Sequence, residues 1–277
     1  MISSKKYVDE TLKKYQIQAK PSLGQNFLVE EKIVDTMIHQ LNLNSQSIVL
    51  EIGPGLGALT EKLVALAKHV YAIEIDNRMC AILKETLGQH TNLTIIHHDF
   101  LKFDFTTWLK NIDTSHLSIV SNLPYYVTSA ILNKLIFNAI PFSSLMVMMQ
   151  KEVGKKLINP QLKEKIPLHV ILDYQYNLSI VEYVSKNAYL PRPNIDSIVL
   201  KITPKTPKIK VHNEMFFYQL IKHLFQERRK TLVNNLQAYF PTKEETILFL
   251  NQRNITCEKR VEQLTLDEII EICNHLC

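Results

Sequence analysis

Glycine is scarce in this chain, with six in 277 residues, and tryptophan occurs once. No apolar run approaches the roughly 20 residues that a membrane-spanning helix needs, so no membrane span is expected. The N-terminus is polar and lysine-rich and lacks the apolar core of a secretory signal, which points to a cytoplasmic protein. The four cysteines, Cys80, Cys257, Cys273 and Cys277, show no Cys-x-x-Cys spacing. They read as reduced thiols, and no metal site is expected. Internal repeats and low-complexity segments are absent. What remains is a chain that is 46% hydrophobic, long enough for a sizeable core and a second, smaller module.

Against that scarcity, Gly53, Gly55 and Gly57 crowd into one run, Val49-Leu50-Glu51-Ile52-Gly53-Pro54-Gly55-Leu56-Gly57. An apolar, strand-like stretch (47–52) precedes the run and an amphipathic stretch (58–67) follows it. Strand, glycine loop and helix let backbone approach a nucleotide-like ligand closely. Glu74 closes the next strand-like stretch, Val70-Tyr71-Ala72-Ile73-Glu74, about 20 residues on, where a carboxylate accepts from both ribose hydroxyls. NAD and S-adenosylmethionine each carry such a ribose, and the loop alone does not choose between them.

Asn122-Leu123-Pro124-Tyr125 narrows the choice. It follows the apolar run Leu117-Ser118-Ile119-Val120 and so sits where a buried strand leaves the sheet, which is where open α/β sheets bind ligands. Proline stiffens the turn, so the Asn122 side-chain oxygen and the Leu123 carbonyl can face one way, with the flat ring of Tyr125 beside them. Two acceptors and an aromatic plate suit methylation of an exocyclic amino group. The adenine N6 lone pair is delocalised into the ring, and holding both N–H bonds favours a pyramidal nitrogen. Stacking on an aromatic offsets part of the cost of extracting the base from its helix or loop. Catalysis is then mostly alignment. NAD would leave this tetrapeptide unexplained.

These residues resemble the ribosomal RNA adenine N6,N6-dimethyltransferases. The resemblance rests on Ser22-Leu23-Gly24-Gln25-Asn26-Phe27-Leu28, Glu51 to Gly57, Ala72-Ile73-Glu74-Ile75-Asp76 and Asn122-Leu123-Pro124-Tyr125-Tyr126. Met149-Gln150-Lys151-Glu152-Val153, Pro191-x-Pro193-x-x-Asp196-Ser197 and the run from Gln226 to Leu236 are similar to the branch that acts on the small subunit. The macrolide-resistance branch, which modifies large-subunit RNA, typically lacks the last of these. The resemblance implies S-adenosylmethionine as cofactor, held by Asn26, Leu28, Gly53, Glu74, Asp99 and Asn122. It also implies Asn122, Leu123, Tyr125 and Tyr189 as the groups that orient and stack the target base. Related sequences often carry phenylalanine at the position of Tyr189. The implied reaction puts two methyl groups on each of two adjacent adenosines in a small-subunit RNA hairpin loop. The implied partners are that RNA and the small ribosomal particle, met by a monomer. One stretch departs from the pattern: Lys163 to His169 replaces a small-residue Tyr-Gly-x-Leu-Ser segment on the RNA-facing side. A large-subunit methylase, or an assembly or transcription factor without turnover, are the alternatives.

A net charge of +5 is modest but unevenly spread. Residues 1–20 carry five lysines against two acids, 201–210 carry four lysines and no acid, and Arg228-Arg229-Lys230 forms a third cluster. Phosphate contacts account for such clusters in a chain that modifies RNA bases. Helical spacing of Ile33, Val34, Met37, Ile38 and Leu41 is followed by strands expected near 47–52, 69–75, 93–98, 117–122, 144–149, 168–184 and 196–202. Alternation with helices predicts an α/β, Rossmann-like methyltransferase sheet covered on both faces. The Pro-Lys-rich break 203–208 divides this domain (1–204) from a small all-α domain (205–277). Thr242-x-x-Glu245 and Thr265-x-x-Glu268 are capping boxes opening two of its helices. His97, His98, Trp108 and the methionines at 146, 148 and 149 read as structural.

Overall fold

A computed structural model describes residues 1–17, 25–159 and 165–277. The chain forms two compact units, Met1–Ile158 with Leu178–Pro204, and Asn159–Asn177 with Lys205–Cys277. The strands, in chain order, are β1 (Phe27–Leu28), β2 (Ile48–Ile52), β3 (His69–Glu74), β4 (Leu93–His97), β5 (Leu117–Asn122), β6 (Ser144–Gln150), β7 (Tyr176–Val184), β8 (Tyr189–Leu190) and β9 (Ser197–Pro204). The helices of the first unit are α1 (Lys5–Lys14), α2 (Glu31–Leu41), α3 (Thr60–Leu66), α4 (Asn77–Leu87), α5 (Phe105–Leu109), α6 (Thr128–Phe137) and α7 (Lys151–Leu157).

Seven strands form one sheet in the order β4-β3-β2-β5-β6-β9-β7. Pairing is parallel from β4 through β6, and β9 runs antiparallel to β6. Strands covered on both faces read as continuous apolar runs, and every residue of β2 is buried. On one face α2 inserts Ile33, Val34, Met37, Ile38 and Leu41. They meet Leu63 and Val64 of α3 over Val49, Val70, Val120 and Met146. A separate cluster joins Val8 of α1 to Met79, Ile82, Leu83 and Leu87 of α4. The order reverses between β2 and β5, so the carboxyl ends of these neighbours frame the crevice where α/β sheets bind ligands.

The second unit contains α8 (Pro167–Gln175), α9 (Glu214–Gln226), α10 (Leu232–Leu236), α11 (Lys243–Gln252) and α12 (Leu266–Leu276). Tyr174 packs on Phe217 with ring centroids 4.8 Å apart, and the Tyr218 hydroxyl donates to Gln175 Oε1 at 2.6 Å. The segment 159–177, expected from sequence within the first domain, therefore belongs to the helical unit. The run 168–184, expected as one strand, divides at Gln175. Pro167 takes the first helical position, where its missing N–H costs nothing, and Ile166 N donates to His169 Nδ1 across the first turn. Leu168, Ile171 and Leu172 then fall on one helical face. At α12 Thr265 and Glu268 exchange both capping bonds, whereas at α11 Thr242 accepts from Glu245 N. Lys163 and Glu164 of the atypical stretch lie outside the described residues, as do Ser22 to Gly24.

Candidate active site

The glycine loop turns at the end of β2 with Gly53 at φ +68°, Gly55 at +58° and Gly57 at +93°, all in the region L side chains avoid. Gly53 N donates to the Ile73 carbonyl at 2.9 Å and Gly57 N to the Pro54 carbonyl at 2.9 Å. The two positions differ in surroundings. A Cβ on Gly53 would project into open space, whereas one on Gly57 would stand 2.8 Å from Leu83 Cδ2. Gly57 is therefore small to let α4 pack, and Gly53 leaves a ligand-sized opening at the strand end.

That opening is part of a cavity of about 360 Å³ in the first unit. Asn26, Leu28, Gly53, Glu74, Asp99, Asn122, Leu123, Tyr125 and Tyr189 all line it. Six chain segments converge to bring them there. Asn26 immediately precedes β1 and Leu28 lies on it, and β1 pairs antiparallel with β8, setting Leu28 opposite Tyr189. Gly53 and Glu74 close the adjacent strands β2 and β3. Asp99 follows β4, where its Oδ1 accepts from Leu101 N at 2.9 Å and caps the turn that follows. Asn122 ends β5, whose tip is tied to β2 by Ser121 Oγ donating to the Ile52 carbonyl at 2.6 Å.

Asn122 Nδ2 donates to the Asn26 carbonyl at 3.3 Å. A carbonyl only accepts, so this bond commits the amide nitrogen and leaves Oδ1 as the acceptor. Leu123 N donates to the Met148 carbonyl at 2.9 Å, and the Pro124 carbonyl accepts from Val127 N at 3.2 Å and Thr128 Oγ1 at 3.1 Å. The turn is thereby pinned on both sides. Tyr125, partly buried, shares a 2.8 Å hydrogen bond between its hydroxyl and Ser197 Oγ. Tyr189 is 3% exposed, so it forms wall more than open face, and its buried hydroxyl lies beside those of Ser197 and Tyr125. Tyr126, next to Tyr125 in sequence, stands at the rim 56% exposed.

The electrostatics of the cavity suit a cation. Glu74 is 6% exposed and Glu51 is 1% exposed, and neither forms an ion pair among the described residues. Burial raises the Glu74 carboxyl, opposed by N–H donors from Asp76 to Oε1 at 2.9 Å and from Gly55 to Oε2 at 3.1 Å. Burial pushes Glu51 up to about 8, against the 2.7 Å bond it accepts from Thr60 Oγ1, and the nearby Glu74 raises it further. Asp76 is the contrast. Arg78, with help from Gln25, holds it down at about 2.

Two of these groups have no assigned role in the sequence reading. Glu51 carries a local signal, since a carboxylate inside the otherwise apolar run Val49 to Ile52 is out of place in a buried strand. Ser197 falls in the Pro191-x-Pro193-x-x-Asp196-Ser197 motif, but its bond to Tyr125 is not readable from sequence because the two lie 72 residues apart. Among the described residues no group of histidine, cysteine or acidic side chains could hold a metal. No described helix is long and apolar enough to cross a membrane.

Known proteins resemble this chain in sequence and in fold. The ribosomal RNA adenine dimethylase family model matches residues 16–277. The chain is 40% identical over 275 residues to the ribosomal RNA small subunit methyltransferase A of Bacillus pumilus, spanning 96% of this chain and 94% of that protein. Against the protein of the same name from Clostridium botulinum the identity is 38% over 261 residues, 94% of each chain. The crystal structure of a dimethyladenosine transferase from Plasmodium falciparum superposes with a TM-score of 0.71 at 26% identity, covering 88% of this chain and 95% of that one. The 23S rRNA methyltransferase ErmE shares the fold, with a TM-score of 0.68 at 22% identity over 91% of this chain and 99% of its own. The chain belongs to the ribosomal RNA adenine dimethylase family.

Proposed function

We propose that this protein transfers methyl groups from S-adenosylmethionine to adenine N6 in small-subunit ribosomal RNA, twice on each of two adjacent adenosines in a hairpin loop. The residues present fit the cofactor. The cavity opens where Gly53 lacks a Cβ, and its two buried carboxyls are unmatched by a basic side chain. S-adenosylmethionine, when bound, supplies an activated methyl group on a positively charged sulfur. Glu74 retains acceptor capacity beyond Gly55 and Asp76 and would hold the ribose hydroxyls. Asp99 Oδ2 would take the adenine amino group, while Gly53, Asn26 and Leu28 line the remainder.

Asn122 Oδ1 and the Leu123 carbonyl accept the two N6 hydrogens of the target base and turn its lone pair toward the methyl donor. Tyr125 supplies the stacking face, and Tyr189 backs the wall against Leu28. The pinned turn performs the alignment before substrate arrives, so little reorganisation accompanies the reaction. The observation that carries this reading is the Asn122–Asn26 bond, which leaves the Asn122 oxygen to accept, at the edge of the glycine-lined cavity. The names of the Bacillus pumilus and Clostridium botulinum relatives favour the small subunit over the large one.

The test is incubation of unmethylated small and large subunits with radiolabelled S-adenosylmethionine, followed by mapping of the label. Label in two adjacent adenosines of the small-subunit RNA is expected, and label confined to the large subunit would overturn the substrate assignment. Asn122→Ala should lose most turnover, about 100-fold for removal of one positioned polar group, while binding cofactor within a few-fold. Near-normal methylation by that variant would remove Asn122 from the mechanism.

A further inference from the structure

Lys134 stands on α6, the helix that continues from the Asn122-Leu123-Pro124-Tyr125 turn. Its ammonium donates to the Leu101 carbonyl at 2.7 Å and to the Phe103 carbonyl at 2.8 Å. The same nitrogen lies 5.8 Å from the ring centre of Phe100 and 5.4 Å from that of Phe105. Three contacts from one cation thus converge on the turn 99–103, and a fourth reaches Phe105 at the start of α5. That turn carries Asp99 and Leu101, both of which line the cavity.

Phe100 is buried and its ring packs on Phe105 at 5.3 Å, and Phe103 packs on Phe105 at 5.1 Å, but these contacts leave the Asp99 and Leu101 backbone to be held by hydrogen bonds. The turn's internal bonds are Asp99 Oδ1 with Leu101 N, and the short-range pairs Lys102 N to Asp99 O at 2.9 Å and Phe103 N to Phe100 O at 3.2 Å. Leu101 is 38% exposed, so burial does not anchor it. A charged donor shared by two carbonyls and flanked by aromatic rings is a stronger tie than any of these neutral hydrogen bonds. Burial lowers the Lys134 ammonium, and Asp99 and Asp104 oppose that by favouring the charged form.

We propose that Lys134 is a positioning residue for the adenosine end of the cofactor, clamping the 99–103 turn so that Asp99 and Leu101 keep their places in the cavity wall. The clamp also links the two sides of the site, because α6 is continuous with the turn that presents the target base. The proposal rests on Asp99 serving the adenine amino group, as argued above.

The test uses the full-length protein and calorimetric titration with S-adenosylhomocysteine and with 5′-methylthioadenosine, which keeps the adenosine end and lacks the amino-acid end. Lys134→Met should weaken both ligands by about tenfold, and Lys134→Arg, which keeps charged donors, should recover most of that loss. Hydrogen exchange at the amides of Leu101 to Phe103 should accelerate in Lys134→Met and stay slow in Lys134→Arg. Wild-type affinity in Lys134→Met, with Asp99→Asn weakened, overturns the clamp alone. Wild-type affinity in both variants overturns the clamp and the assignment of this turn to adenosine. Equal losses in Lys134→Met and Lys134→Arg, with unchanged exchange in the turn, would reduce Lys134 to a general stability role and also overturn the proposal.

Discussion

Glu51→Gln isolates the energetic consequence of placing a carboxyl in the cavity floor. Glu51 is buried, accepts one bond from Thr60 and titrates near 8 instead of the usual 4.5. An acid whose folded-state value is raised binds its proton more tightly when folded. Its contribution to stability is therefore complete below about pH 4.5 and is lost as the pH rises toward 8. At about 1.4 kcal/mol for each pH unit, full ionisation costs at most about 5 kcal/mol, and water entering the cavity reduces this to about 2–4 kcal/mol. Glutamine keeps the shape and the acceptor for Thr60 and does not titrate. The difference in unfolding free energy between variant and wild type should grow in the variant's favour by that amount between pH 5 and pH 9. Trp108 is the single tryptophan and lies in the first unit, packed edge-on to Tyr71 at 5.2 Å, so its fluorescence in urea titrations reports the relevant unit alone. Parallel pH dependences for the two proteins would refute the buried-acid argument.

The same residue links pH to ligand binding. A cation bound in the cavity favours ionised Glu51, so cofactor affinity measured by calorimetry should rise toward pH 8, and Glu51→Gln should flatten that slope. A flat wild-type profile would disconnect Glu51 from the bound charge. Gly57→Ala should destabilise by about 2–4 kcal/mol, from left-handed backbone and the Leu83 clash together, with a loss below about 0.5 kcal/mol in urea denaturation counting against it. Gly53→Ala meets no neighbour, so it should cost only the backbone term of about 1–2 kcal/mol yet lower cofactor affinity at least about tenfold. Tyr125→Phe and Ser197→Ala each remove the one 2.8 Å bond between those hydroxyls. Their effects on RNA methylation should be non-additive in a double-mutant cycle, and simple additivity would mean that the bond does not steady the ring.

Local grammar made much of this molecule legible. Period-3.6 spacing marked α2, continuous apolar runs marked β2, β5 and β6, and clustered glycines in a glycine-poor chain marked the loop, because each signal is confined to neighbours along the chain. The run 168–184 was misleading for the same reason. A short apolar stretch carries no information about whether a sheet edge or a helical bundle will cover it, and Pro167 as a helix start is meaningful only once Tyr174 has Phe217 to pack against.

The residue types needed for a cofactor loop, a ribose acceptor and a rigid turn with two oxygens are written in the amino-acid order, since backbone conformation at Gly53 and Pro124 follows from local sterics. Which atom of Asn122 faces the cavity is not, for that depends on a carbonyl 96 residues distant. Nor are the lowered acidity of Glu51, the anchoring of Tyr125 by Ser197 or the grip of Lys134 on the 99–103 turn. Those properties come from burial and from directional bonds between remote segments, and only the packed chain sets both.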